Sequence, residues 1–176
     1  MKLQFRRANA QDAAQLVDLV NSAYRGETSR QGWTTEADLL DGLRTTAGEI
    51  EQLVSSDNSF FLLCFDAAQL IGSAHIERQN DEAHIGMFVV RPDRQGDGIG
   101  KRLLESAEQE VLRTWPLRVF VMRVITLRQE LIAFYERRGY KRTGKFEQFP
   151  VNPEVWTPKV AGLQLDILEK PVLRSA

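Results

Sequence analysis

The sequence is poor in the features that would assign it to a special class. It holds one cysteine in 176 residues, so no disulfide can form within the chain. That residue, Cys64, lies in Phe60-Phe61-Leu62-Leu63-Cys64-Phe65 and reads as a small buried hydrophobe rather than a nucleophile. No apolar run approaches the roughly 18 residues of a membrane span. The opening Met1-Lys2-Leu3-Gln4-Phe5 lacks the apolar core of a signal peptide. Neither charge is in marked excess: 23 Lys and Arg against 24 Asp and Glu leave a net charge of −1. Repeats and low-complexity segments are missing as well. What remains, 43% hydrophobic and 27% charged residues, is the composition of an ordinary soluble globule with a real core. One domain over residues 1–176, in a reducing cytoplasm, is the expectation.

The charges balance only in total. Residues 1–90 carry seven Lys and Arg against thirteen Asp and Glu, a net of −6, whereas residues 113–145 carry nine against two, a net of +7. A basic stretch can signal nucleic acid, but these arginines are scattered through strand and helix patterns, and the near-neutral total argues against it. A solvated face, some of it available to phosphates, is the plainer reading. The acidic first half leans toward a cationic amine as substrate.

The most informative residues are Gln95-Gly96-Asp97-Gly98-Ile99-Gly100. An apolar run, His84 to Val90, and the turn Arg91-Pro92-Asp93-Arg94 precede them, and Lys101-Arg102-Leu103-Leu104-Glu105 follows as a helix start. Glycines let a backbone approach a phosphate closely, and the free N–H groups of a helix N-terminus favour an anion. Spacing then selects among phosphate loops. A Walker loop needs four residues before its Gly-Lys and a following Ser or Thr; here there are three, and Arg102 follows. The dinucleotide fingerprint G-x-G-x-x-G near the start of a βαβ unit fails too. About forty residues on, Leu131-Ile132-Ala133-Phe134-Tyr135-Glu136-Arg137-Arg138-Gly139-Tyr140 reads as a helix entering a strand.

The elements fall in a definite order. Leu3 to Arg7 alternates as a strand, and Asn9 with Asp12 starts a helix carrying Leu16, Leu19, Val20 and Ala23. A polar loop, Arg25 to Trp33, follows. Thr35-Glu36-Ala37-Asp38 is expected to cap a second helix through Leu43, and Thr46-Ala47-Gly48-Glu49 a third. Strands are expected over Ser59–Asp66, Leu70–Arg78, Ala83–Val90, Leu117–Ile125, Tyr140–Thr143 and Leu163–Glu169, with Lys145 to Gly162 irregular. A helix stopped by Pro116 follows the glycine loop. Another is expected to be capped by Thr126 with Gln129 and to end at Gly139.

Two motifs carry a resemblance. Gln95, Gly98 and Gly100, after a strand ending Val-x-Pro, match the Q/R-x-x-G-x-G/A loop of the GNAT N-acetyltransferase superfamily. The Tyr135 helix resembles that superfamily's second signature, Phe-Tyr-Glu-x-x-Gly-Phe/Tyr. The chain is identified as similar to this superfamily from about Phe5 to Glu169. The resemblance implies the GNAT acyl-coenzyme A N-acyltransferase fold, a mixed, twisted sheet with helices on both faces in the order β-α-α-(α)-β-β-β-α-β-α-β-β. It also implies a reaction, acetyl transfer from acetyl-coenzyme A to a primary amine of a small molecule or an exposed peptide. A non-catalytic acyl-coenzyme A-binding regulator on the same fold is the alternative. No metal is implied. Dimerisation is common in the fold, so a homodimer is admitted beside the amine; membrane and nucleic acid are not expected as partners.

Residue roles follow from the resemblance. Backbone N–H groups from Gln95, Gly96, Asp97, Gly98, Ile99, Gly100 and Lys101 would meet the pyrophosphate. Phe88, Val89 and Val90 would flank the pantetheine arm where two strands part. Many members have Asn seven residues before the motif tyrosine; here that place is Arg128, which puts the pantetheine contact in doubt and offers a phosphate or acidic-substrate contact instead. Tyr135 would meet the departing thiolate as acid or hydrogen-bond donor, and it also suits a core position beside Leu131 and Phe134. His84 is the first candidate base, with an ordinary pKa near 6.5; Glu82, Glu77 and His75 compete, the choice turning on which face each takes. The acceptor would lie between Gly26–Glu36 and Phe146–Pro150, where Trp33 and Phe149 are either pocket walls or core anchors.

Overall fold

Long apolar runs become the inner strands because both their faces are covered. The computed structural model describes residues 1–173, so the expected domain boundary at Ala176 lies outside the described residues. In chain order the elements are β1 (Leu3–Arg7), α1 (Ala13–Tyr24), α2 (Gly26–Ser29), β2 (Leu40–Gly42), α3 (Ala47–Val54), β3 (Ser59–Asp66), β4 (Gln69–Gln79), β5 (Glu82–Val90), α4 (Ile99–Thr114), β6 (Val119–Ile125), α5 (Gln129–Glu136), β7 (Lys141–Gln148), β8 (Trp156–Pro158) and β9 (Gln164–Pro171). Seven strands form one mixed sheet in the order β1-β3-β4-β5-β6-β9-β7. Its pairs are antiparallel except β5–β6, which the α4 crossover makes parallel. A separate ribbon pairs β2 with β8.

Each sheet face has its own core. Leu16, Leu19 and Val20 of α1 and Ile50 of α3 pack on Phe61, Leu63, Met87 and Val89. On the other face Leu103, Leu104 and Val111 of α4 and Leu131 and Tyr135 of α5 cover Leu62, Cys64, Ile85, Phe88 and Val90. Strand side chains alternate faces, so Ile85 and Phe88 sharing a face means that the alternation slips between them. The β4–β5 register breaks there, between Ser73↔Val89 and His75↔Gly86, and Met87 takes a φ of 41°. It is a β-bulge, which inserts an extra residue and bends the strand.

Several expectations need correction. Thr35 to Leu43 is not a helix. The Thr35 hydroxyl accepts from the Ala37 N–H, Leu40 N–H closes a single turn on the Glu36 carbonyl, and the chain then leaves as β2. Strand pairing with β8 outweighs the helical spacing of the leucines. The loop after Arg25 contains the one-turn α2. Thr126 does not cap α5; Arg128 stands at its N-cap without a side-chain bond. The irregular stretch is shorter than expected, since β7 continues to Gln148 and β8 interrupts the rest. Elsewhere the caps hold: Asn9 forms a full capping box with Asp12, and Thr46 accepts from Glu49 N–H.

Candidate active site

A seam opens in the middle of the sheet. β5 pairs with β6 only from Glu82↔Val119 to Ile85↔Met122. Beyond that β6 continues against β9 as far as Ile125↔Leu165, while the bulge carries β5 away. Gly86 to Val90 therefore have no strand on their β6 side. Two cavities meet at this seam, and Phe88 and Leu131 line both.

The first, about 240 Å³, lies beneath the glycine loop. Gly98 occupies the N-cap of α4 with a φ of 75°, a left-handed conformation that suits glycine. Buried Ile99 anchors the turn, so the helix starts against the sheet. Arg102 N–H is bonded back to the Gly98 carbonyl at 3.2 Å. The N–H groups of Ile99, Gly100 and Lys101 in the first turn have no carbonyl one turn behind them, the usual condition of an anion site. Gly96, Gly98, Gly100 and Lys101 line the cavity, whereas Asp97 points into solvent. A side chain at Gly100 would press on the Phe134 ring at 3.4 Å.

Gln95 has a different task from its neighbours. Its Oε1 accepts from Trp33 N–H at 2.9 Å, and its Nε2 donates to Thr34 Oγ1 at 2.8 Å and to the Val90 carbonyl at 2.9 Å. The side chain is a latch holding the Trp33–Thr34 segment against the end of β5. Trp33 and Thr34 consequently line this cavity, with Trp33 6.0 Å from Phe134. Sequence reasoning missed Arg138 here. Its guanidinium stacks 3.5 Å from the centre of the Phe134 ring and donates to the Phe134 carbonyl, while its buried Nε has no partner. An orphaned cationic donor beside a helix N-terminus fits a phosphate-bearing ligand.

The second cavity, about 350 Å³, opens on the α1 side. Tyr135 lines it from α5, buried among Phe88, Phe134 and Tyr140 at ring distances of 6.0, 5.3 and 6.0 Å. Burial, and then the neighbouring Tyr24, push its phenol well above the ordinary value, so it keeps its proton. The Tyr24 hydroxyl donates to the Phe88 carbonyl at 2.7 Å and pins the bulge.

Facing does not separate the four base candidates. His75 and Glu77 sit across from Gly86 and His84, so Glu82, His84, His75 and Glu77 all share the α1 face. Their partners do separate them. His84 Nδ1 lies 2.6 Å from Arg123 Nη1, which can only donate, so the ring is the Nε2–H tautomer and gives that proton to Glu82 at 2.8 Å. Arg123 also holds Glu147 at 2.8 Å. His75 is buried against Phe61, 4.7 Å between rings, and burial pulls its pKa down to about 4. Arg128 is away from the glycine loop: it lines this second cavity, donating to the Thr34 carbonyl and pairing with Glu36 at 3.5 Å. The expected acceptor loops divide as well. Phe149 and Glu36 line this cavity, Trp33 lines the other, and Glu27 is an exposed partner of Arg30. Arg25 and Arg44 are further lining groups that no motif pointed to.

Comparison with known proteins gives this arrangement a context. No curated protein sequence matches the chain. Solved structures match throughout its length. An acetyltransferase of the GNAT family from Streptococcus pneumoniae is similar at 20% identity, covering 97% of this chain and 100% of its own, with a TM-score of 0.69. The PaiA N-acetyltransferase from Thermoplasma acidophilum, in complex with coenzyme A, is 19% identical over 98% of this chain and 100% of its own, with a TM-score of 0.67. A chimera of the spermidine N-acetyltransferase SpeG from Vibrio cholerae and hSSAT is 18% identical over 97% and 96%, with a TM-score of 0.71. These likenesses establish the fold. Residues 39–150 match the acetyltransferase (GNAT) domain family, a span that includes the bulge, the seam, the glycine loop and the Tyr135 helix. The chain belongs to the GNAT acetyltransferase family.

Proposed function

We propose that this is an acetyl-coenzyme A-dependent N-acetyltransferase, one domain over residues 1–176, in which a primary amine attacks the thioester directly. The observation that carries the reading is the seam: two cavities of different character meet where β5 leaves β6, each opening on its own side. Gly96 to Lys101 and Arg138 take the pyrophosphate, and Phe88, Val89 and Val90 offer the pantetheine a strand edge that has no partner from β6. Gln95 and Arg128 are positioning residues, latching the Trp33–Glu36 segment between the cavities.

The amine enters from the α1 side. Tyr135, kept protonated by burial, donates to the sulfur as the thiolate departs. His84, oriented by Glu82, takes the amine proton at Nδ1 once Arg123 has turned fully to Glu147. Calorimetry with acetyl-coenzyme A and thiol release with an amine panel test the reading. Binding with amine-dependent thiol release is expected. Binding without release from any amine would leave the regulator alternative, and no binding would remove both.

A further inference from the structure

The acceptor cavity holds a charge imbalance that acetyl transfer alone does not require. Guanidinium groups of Arg25, Arg44 and Arg128 gather around Tyr24 on its wall. Those of Arg44 and Arg128 stand 5.9 and 5.6 Å from the Tyr24 ring centre, and the Tyr24 hydroxyl touches the bulge itself. One carboxylate, Glu36, stands between Arg25 and Arg128. Its oxygens lie 3.6 Å from Arg25 and 3.5 Å from Arg128, well beyond the 2.7–2.9 Å of a good charge-assisted bond. These side chains are 3%, 6% and 10% exposed for Arg25, Glu36 and Arg128, so water does little to screen them, while Arg44 is half-buried.

Two further details indicate a missing partner. Arg25 Nε is buried without an acceptor, and among the described residues no carboxylate lies within ion-pair reach of Arg44. Glu77, the other carboxylate on the lining, accepts from the Gln79 amide, and outside the lining Glu147 is held by Arg123 and Glu82 by His84. Burial pulls Arg25 below its ordinary pKa; Glu36 opposes that and Arg44 adds to it, so the one carboxylate at hand does not offset the burial of this cation. A buried positive surplus is costly unless an anion completes it.

We infer that the acceptor is an amine that also carries an oxyanion, a carboxylate or a phosphate, and that Arg25, Arg44 and Arg128 bind that group beside Tyr24. The inference rests on assigning this cavity to the acceptor. It reverses the lean toward a cationic amine drawn from the acidic first half of the chain, because Glu36 and Glu147 are held by arginines and Glu82 by His84. A polyamine would bring further positive charge to a wall that already has too much.

Calorimetry on the coenzyme A-loaded protein tests this without turnover. The probes are N-acetylated amino acids of several side-chain sizes, their amides, and N-acetylated phosphoethanolamine. At least one oxyanion probe should bind about tenfold or more tighter than its amide or neutral counterpart, its identity naming the oxyanion. Arg44→Met should abolish that difference; its side chain has no acidic partner to lose, and a thermal melt checks the fold. Equal or absent binding of all probes, or selectivity unchanged in Arg44→Met, would overturn the inference. Thiol-release assays with the parent amines and spermidine separate this from the transfer reading. Turnover of spermidine alone removes the oxyanion site and keeps acetyl transfer. Oxyanion-selective binding with no turnover of any amine does the reverse.

Discussion

His75 shows how burial converts a candidate base into a stability determinant. Its ring packs on Phe61 and its Nε2 has no partner, so the folded protein holds it neutral, with a pKa near 4. Above pH 6.5 neither folded nor unfolded chain protonates it. As pH falls below 6.5 the unfolded chain gains the proton first, so stability drops until the pH reaches about 4. This linkage amounts to about 2 kcal/mol by pH 5. Urea melts at pH 7.5 and pH 5 should therefore lose about 2 kcal/mol less in His75→Leu than in the parent. A loss of the same size in both would refute the assignment. Tyr135 is the complementary case, a buried group that retains its proton. Tyr135→Phe should lower kcat by about tenfold or more without shifting the thermal midpoint, measured where chemistry limits turnover. Cys64 needs no role: it is fully buried, and burial pushes its thiol up to about 11, so little thiolate forms.

Elements were legible in the sequence where local chemistry decides them. The β3, β4 and β5 strands follow from apolar runs, the glycine loop from its own spacing, and α1 and α3 from their caps. The Thr35–Leu43 segment was not legible. Its leucines have helical spacing, but Gly42 at φ 94° lies so close to the Val155 carbonyl that an added Cβ would be 2.2 Å from it, and β8 fixes the conformation from more than a hundred residues away. Arg44, Arg138 and the Gln95 latch were illegible as site features for the same reason: each acquires its neighbours through tertiary packing rather than local pattern. The β2–β8 ribbon gives its own prediction. Gly42→Ala must move the Val155 backbone and adopt a left-handed φ, which costs about 1–2 kcal/mol before any clash. Amide exchange at Leu43, whose N–H is bonded to the Val155 carbonyl at 2.8 Å, should speed up about tenfold or more while β3 and β4 stay protected. Unchanged exchange at Leu43 would show that the ribbon tolerates the methyl group.

At the scale of the whole molecule, the seam means that the sheet is incomplete by design of its topology. A ligand that binds only the folded chain at a hundred times its Kd adds about 2.7 kcal/mol of stability. For a chain of this size that corresponds to a rise of roughly 5–10 °C in Tm with saturating coenzyme A. The added amide protection should concentrate at Phe88 to Val90 and the first turn of α4. Stabilisation with protection elsewhere would place the donor outside the seam.

The slip at Met87 has a consequence for how such a strand can change over generations. Before it, even-numbered residues look toward the α1 face and odd-numbered ones toward α4; after it the parity is exchanged. A single strand is thereby split into two independently editable surfaces, one for each cavity. Point substitutions upstream can reshape the α1-side cavity and leave the one beneath the glycine loop untouched. The loss or gain of one residue at the slip is a different event, because it would transpose every side chain on one side of it at once.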